Sequence, residues 1–131
     1  MRYNDTITIG IESMHELSIV NALLEQACEI ATQHNASKVH KIIISVGERS
    51  GVDMGLLART FETFRTEFAL CENALLESVY ERVEVLCEDC QTQSVAQDMQ
   101  YAICPHCQSR NVRIVKGKEL LLLSLELDSQ E

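Results

Sequence analysis

Cysteines pose the first chemical question. Cys87-x-x-Cys90 and Cys104-x-x-Cys107, with thirteen residues between them, have the spacing at which two knuckles close a tetrahedral thiolate site. Four soft thiolates suit Zn(II), and because every position is a protein ligand none is left for water or substrate. A metal there would be structural. A second stretch is Met14-His15-Glu16. At a chain terminus it would be a ready chelate for a square-planar metal, since tetragonal nitrogen donors favour Ni(II) or Cu(II). Here thirteen residues precede it.

Each stretch has a plainer reading. The cysteines could hold iron, because "CPHC" is similar to the second knuckle of rubredoxin-like sites. Those sites follow each knuckle with Gly, whereas Gln91 and Gln108 stand here, so zinc is preferred. A dithiol that only cycles as a disulfide would not need paired knuckles. His106, inside the second knuckle, reads as a solvent-facing turn residue able to replace a thiolate in acid. Cys28 and Cys71 stand alone and read as small buried hydrophobes. Ser13-Met14-His15-Glu16 has the S-x-x-E form of a capping box, which would leave His15 an ordinary first-turn residue.

Positioning these residues falls to a modest domain. The chain has 131 residues, 46% hydrophobic, with one Pro, enough for one compact unit and a small appendage. No apolar run reaches membrane length, and residues 1–13 lack the basic start and apolar stretch of a secretory signal. The cytoplasm is therefore expected, where six Cys read as metal ligands or core thiols. A net charge of −9 with scattered basic residues argues against nucleic acid. No Ser-His-Asp set or carboxylate pair suggests an enzyme.

From Glu16 to His34, Leu17, Val20, Leu24, Ala27 and Ala31 recur at helical spacing, widened by Leu23, Cys28 and Ile30. "VHKIIISVGE" predicts a strand ending at Gly47. Asp53 or Ser50 caps a second helix carrying Leu57, Phe61, Phe64 and Phe68, all three Phe of the chain, which should dominate the core. "LLESVYERVEVL" reads as one strand. Residues 87–116, with three acidic and three basic side chains and few large apolar ones, cannot fold without a staple. "ELLLLSLELD" then resumes as a strand with Leu121, Leu123, Leu125 and Leu127 on one face. The fold class is α+β: two helices on a small, mostly antiparallel sheet, with an inserted zinc-ribbon-like four-Cys domain. The domains are 14–86 plus 117–131 and the insert 87–116. Residues 1–13 are an extension of doubtful nativeness, with no function of their own.

"MHELSIVNALLEQ", "GERSGVD", "FETFR", "CEDC", "CPHC" and "LLLSLEL", in this order over residues 14–127, resemble the HypA/HybF nickel metallochaperones of hydrogenase maturation. The resemblance implies an α/β main domain bearing a four-Cys zinc domain. It implies a nickel site at Met14 (free amine), His15 (imidazole) and Glu16 (backbone nitrogen), with Asp53 as an auxiliary carboxylate and Glu48 a weaker candidate. An α-amine with a pKa of about 7.7–8.0 gives up its proton near neutrality, so Met14 is read as the functional start. Also implied are transported Ni(II), structural Zn(II), a HypB-type GTPase, the hydrogenase large-subunit precursor and, through UreE, a link to urease. Neither a membrane nor nucleic acid is a partner; the chain is a monomer or homodimer. The alternatives are a zinc-ribbon interaction module without a nickel role and a rubredoxin-like iron electron carrier.

Overall fold

The computed structural model describes residues 1–11, 14–97 and 100–129. In chain order these form β1 (Arg2–Tyr3), β2 (Ile7–Ile9), α1 (Glu16–Gln33), β3 (Ala36–Gly47), α2 (Met54–Phe64), β4 (Leu75–Glu81), β5 (Glu84–Cys87), β6 (Gln93–Val95), β7 (Val112–Lys116) and β8 (Leu120–Ser129). Two helices and two sheets with a four-Cys cluster make the α+β architecture expected. The larger sheet has the order β1–β8–β3–β4, with β2 also on β8. Among the described residues only the β3–β4 pair is parallel, because α2 lies in the connection that carries the chain across.

The core follows from patterning. Ile19, Val20, Leu23, Leu24, Ala27, Ile30 and Ala31 form the buried stripe of α1, which lies on β3 and α2; Leu17 falls outside it and is exposed. As the central strand, β3 is buried continuously from Ile42 to Gly47. In β8 the buried set is Leu120, Leu122, Leu125 and Leu127, not the odd-numbered leucines throughout. The register slips between Ile43–Ser124 and Ile44–Leu122, and a bulge of one residue reverses which side chains face the core. Phe61 is fully buried, but Phe64 and Phe68 only flank the core. Phe68 lies beyond α2, between two 3-10 turns at Arg65–Glu67 and Ala69–Cys71. Aliphatic side chains of α1, β3 and β8 thus dominate the core, not the phenylalanines.

The stretch read as one strand is two, in different sheets. At its break, Glu48 N–H donates to Glu81 O (2.8 Å) and Val83 O accepts from Ala96 N–H (2.9 Å). Val83 N–H donates to Glu48 Oε1 (2.8 Å). These backbone groups are therefore satisfied outside a continuing ladder. β5 then pairs with β6 and β7 around a small core of Val83, Val85 and Ala96, flanked by Tyr101, Val112 and Ile114. This second sheet begins three residues ahead of the boundary at 87. Within the extension, residues 1–11 carry structure that the sequence did not suggest: β1 and β2 pair antiparallel with β8. Met1 N donates to Leu127 O (3.1 Å), Leu127 N–H to Met1 O (2.8 Å), and Arg2 pairs with Glu126 at 2.8 Å.

Candidate metal centre

Both knuckles are built alike. Cys87 closes β5, and its N–H donates to Thr92 O (3.1 Å); Cys104 N–H donates to Ser109 O (2.8 Å). Gln91 N–H reaches Cys87 O and Gln108 N–H reaches Cys104 O, each at 2.9 Å. Cys90 N–H points to Cys87 Sγ and Cys107 N–H to Cys104 Sγ, each at 3.4 Å. Gln91 (φ 62°) and Gln108 (φ 66°) take the left-handed conformation that glycine adopts more easily. Their identity therefore does not separate a zinc knuckle from an iron knuckle, since the backbone is the same. Asp89 of the first knuckle accepts from Ser109 Oγ and from Asn111 Nδ2 (3.3 Å) beyond the second, which ties the two together.

The four sulfurs gather within 4.8 Å of one another. Cys87 and Cys107 are 3.6 Å apart and Cys90 and Cys104 3.8 Å. Sulfurs about 2.3 Å from one tetrahedral ion stand about 3.8 Å apart, so the donor set fits a metal such as zinc. Without metal the thiols differ. Thr92 holds Cys90 down to about 6, whereas Cys107 is pushed up to about 12, the Ser109 amide favouring its thiolate but outweighed by Cys87, burial and the other thiols. His106 is exposed, and only its backbone N–H faces a cluster sulfur, Cys104 Sγ at 3.4 Å.

At the other end, His15 is the N-cap of α1, exposed, with no side-chain capping bond. Glu16 is the first helical residue and not the third, so the capping-box register does not hold; Ser13 itself lies outside the described residues. Met14 is half-buried against the core, and its nitrogen is a peptide N–H donating to Ile11 O at 3.1 Å. Asp53 caps α2, its Oδ1 accepting from Leu56 N–H at 3.0 Å, while Ser50 Oγ accepts from Val52 N–H at 3.2 Å. Among the described residues, only the four cysteines bring three or more His, Cys, Asp or Glu donors together; His15, Glu16 and Asp53 do not assemble. Glu48 serves a different purpose, accepting from Val83 N–H and from Tyr101 O–H, each at 2.8 Å. Sequence reasoning missed Tyr101; its place three residues ahead of Cys104 was the only signal. The two cysteines set aside, Cys28 and Cys71, stand 3.6 Å apart, and burial pushes the Cys71 thiol up.

A family model described as hydrogenase/urease nickel incorporation, metallochaperone, hypA, matches residues 14–127. The chain belongs to the HypA family. It is 52% identical over 117 residues to the hydrogenase maturation factor HypA of Helicobacter hepaticus, covering 89% of this chain and 99% of that one. To the hydrogenase/urease maturation factor HypA of Helicobacter pylori it is 40% identical over 114 residues, covering 87% and 97%. The solution structure of the Ni metallochaperone HypA from Helicobacter pylori superposes with a TM-score of 0.69 at 39% identity, covering 89% of this chain and all (100%) of that one. The HypA model opens at Met14, so β1 and β2 lie outside it.

Proposed function

We propose that this chain carries one Ni(II) at Met14, His15 and Glu16, with Asp53 auxiliary, and hands it to the large-subunit precursor of a nickel-iron hydrogenase. A HypB-type GTPase and, where urease is the recipient, UreE are its proposed partners, in the cytoplasm, with no reaction catalysed. The observation that carries this reading is the start of α1. Glu16 opens the helix, so its N–H belongs to the first turn, whose donors have no intrahelical acceptor. Beside it the His15 imidazole is exposed and uncommitted to capping. Amine, amide and imidazole nitrogens in sequence make a planar chelate. The amine requires a chain that begins at Met14, because in the full chain that nitrogen is an amide bonded to Ile11 O. We further propose that residues 87–116 form a separate domain in which Cys87, Cys90, Cys104 and Cys107 hold Zn(II). When bound, that ion supplies cross-linking and no open coordination position.

The test is a calorimetric nickel titration of zinc-loaded protein in three forms: the full chain, a form starting at Met14, and that form with His15→Ala. Tight binding of one nickel by the Met14 form alone is expected. Equal binding by the full and Met14 forms would mean that the amine is dispensable and the site misplaced.

A further inference from the structure

The outer edge of β8 is covered by β1 and β2. On its inner side the strand pairs with β3; on the outer side the two short strands pair with Leu120, Leu121, Leu122, Leu125 and Glu126. From Leu120 to Leu127 the strand carries one charged side chain, Glu126, and no Pro. A long apolar edge of this kind invites strand addition when it is bare. The family model opens at Met14, so it contains the edge and not its cover. A chain that begins at Met14 leaves the edge open.

The cover suits the edge in chemistry but does not fill it. Tyr3, Ile7, Ile9 and Ile11 pack on the large core. Arg2 meets Glu126 at 2.8 Å, whereas Lys41 comes only to 3.9 Å of the same carboxylate. Tyr3 also sets its ring edge-on to His34, with 5.5 Å between centroids. Between the two strands, however, three residues, Asn4, Asp5 and Thr6, stand against two, Leu123 and Ser124, and all three are exposed. The ladder is therefore interrupted in its middle. An unbroken strand would pair where the extension does not, and would lack only the advantage of the tether.

We propose that the outer edge of β8 is a strand-docking site whose occupant is an extended segment of another protein, with a basic residue opposite Glu126 and apolar residues at alternate positions facing the core. Residues 1–11 fill that site from within the chain. A basic residue suits a chain of net charge −9 and fixes register more than affinity. Pairing of the main chain supplies the affinity, and the alternate apolar positions supply the selection. The proposed nickel site requires a chain opening at Met14, which is the form with the edge exposed, but the docking site itself does not depend on nickel.

The experiment follows a fluorescein-labelled peptide of residues 1–11 by anisotropy against zinc-loaded protein. With the form starting at Met14 it should saturate at one peptide per chain. With the full chain, binding should be at least about ten-fold weaker, because a tethered strand competes at an effective concentration on the order of millimolar. A peptide with Arg2→Lys, Ile7→Val and Ile9→Val keeps the pattern and should still bind. Arg2→Glu in the peptide should weaken binding about three-fold, and Glu126→Lys in the protein should restore it. No saturable binding to the Met14 form, or equal binding by both forms, would overturn the site. A Met14 form that is a dimer which the peptide does not disperse would give the edge to a second copy and overturn the partner strand. Should the Met14 form not fold, the full chain with Arg2→Glu and Ile9→Asp, which loosens the cover, takes its place: it should gain peptide binding, and failure to gain it would overturn the site. No nickel enters these measurements, so failure of nickel to bind at Met14 would remove the proposed function and leave this result standing.

Discussion

Glu48 and Tyr101 share one proton-bearing contact, and their titrations should betray it. The Val83 amide and the Tyr101 hydroxyl hold Glu48 below the usual carboxylate range, helped by the charge of Arg82, although desolvation opposes them. The same contact, desolvation and the Glu48 charge raise the Tyr101 phenol, against Arg49. For the carboxylate, the stabilisation is present above its ordinary unfolded pKa and is lost as pH falls through the lowered folded value. For the phenol it is present below the ordinary value and lost as pH rises through the raised one. With three Tyr and no Trp in the chain, tyrosinate absorbance reads this directly. One Tyr should ionise above the usual phenol range, and Glu48→Gln should bring it down; three indistinguishable transitions would contradict the contact. The left-handed glutamines allow a second check. Non-glycine residues held there cost about 1–2 kcal/mol each, so Gln108→Gly should raise zinc affinity about five-fold, equivalent to roughly 1 kcal/mol, in competition with a chromophoric chelator. Unchanged or weaker binding would mean that the Gln108 side chain contributes contacts of its own. The cysteine cluster was legible from its spacing alone. Tyr101 was not, because its role depends on a partner 53 residues away in sequence.

Among elements, the two glycines at the crossing govern how closely the sheets meet. A Cβ on Gly47 would come within 2.5 Å of the Gly117 carbonyl carbon and oxygen, and one on Gly117 within 2.6 Å of Val83 Cα; Gly117 is also at φ 94°. All these atoms are backbone, which cannot step aside. Gly117→Ala should therefore destabilise the fold by about 2 kcal/mol or more, seen as a lower urea midpoint with the helices still present at zero denaturant. A wild-type midpoint would mean the strands can separate freely. Local patterning made α1 and β3 legible, since their periods of burial run without interruption. It failed in β8, where a bulge changes the parity, and between β4 and β5, where alternation continues through Val83 and Val85 while the strand moves from one core to another. Alternation records that a side chain is buried, not which core receives it.

At the scale of the whole molecule, two cores of unequal size stand side by side. The second has three fully or nearly buried aliphatic residues, Val83, Val85 and Ala96. Zinc binding to such knuckles is worth roughly 10–16 kcal/mol in apparent terms, far more than so few side chains return on burial. Chelation, or Cys90→Ser, should unfold residues 87–116 while most helical circular dichroism persists, because α1 and α2 belong to the larger core. Loss of the helical signal along with zinc would show that the two units fold as one. The N-terminal strands were invisible to sequence reasoning for a related reason: three or fewer residues each, they owe their form to the β8 edge they cover.

Two bonds at the end of β3, Glu48 N–H to Glu81 O and Gly47 N–H to Glu119 O, also describe a seam. Glu81 and Glu119 leave β4 and enter β8 on opposite sides of β3, so about two strand spacings, roughly 10 Å, separate the ends of everything between them. About four residues of linker would span that gap. The four-Cys unit could thus be excised as a cassette and the seam closed by a short turn, with every side chain of the larger core left in place. A chain so shortened would keep its helices and α1 start and lack the four-Cys site, leaving the larger core to stand without its appendage.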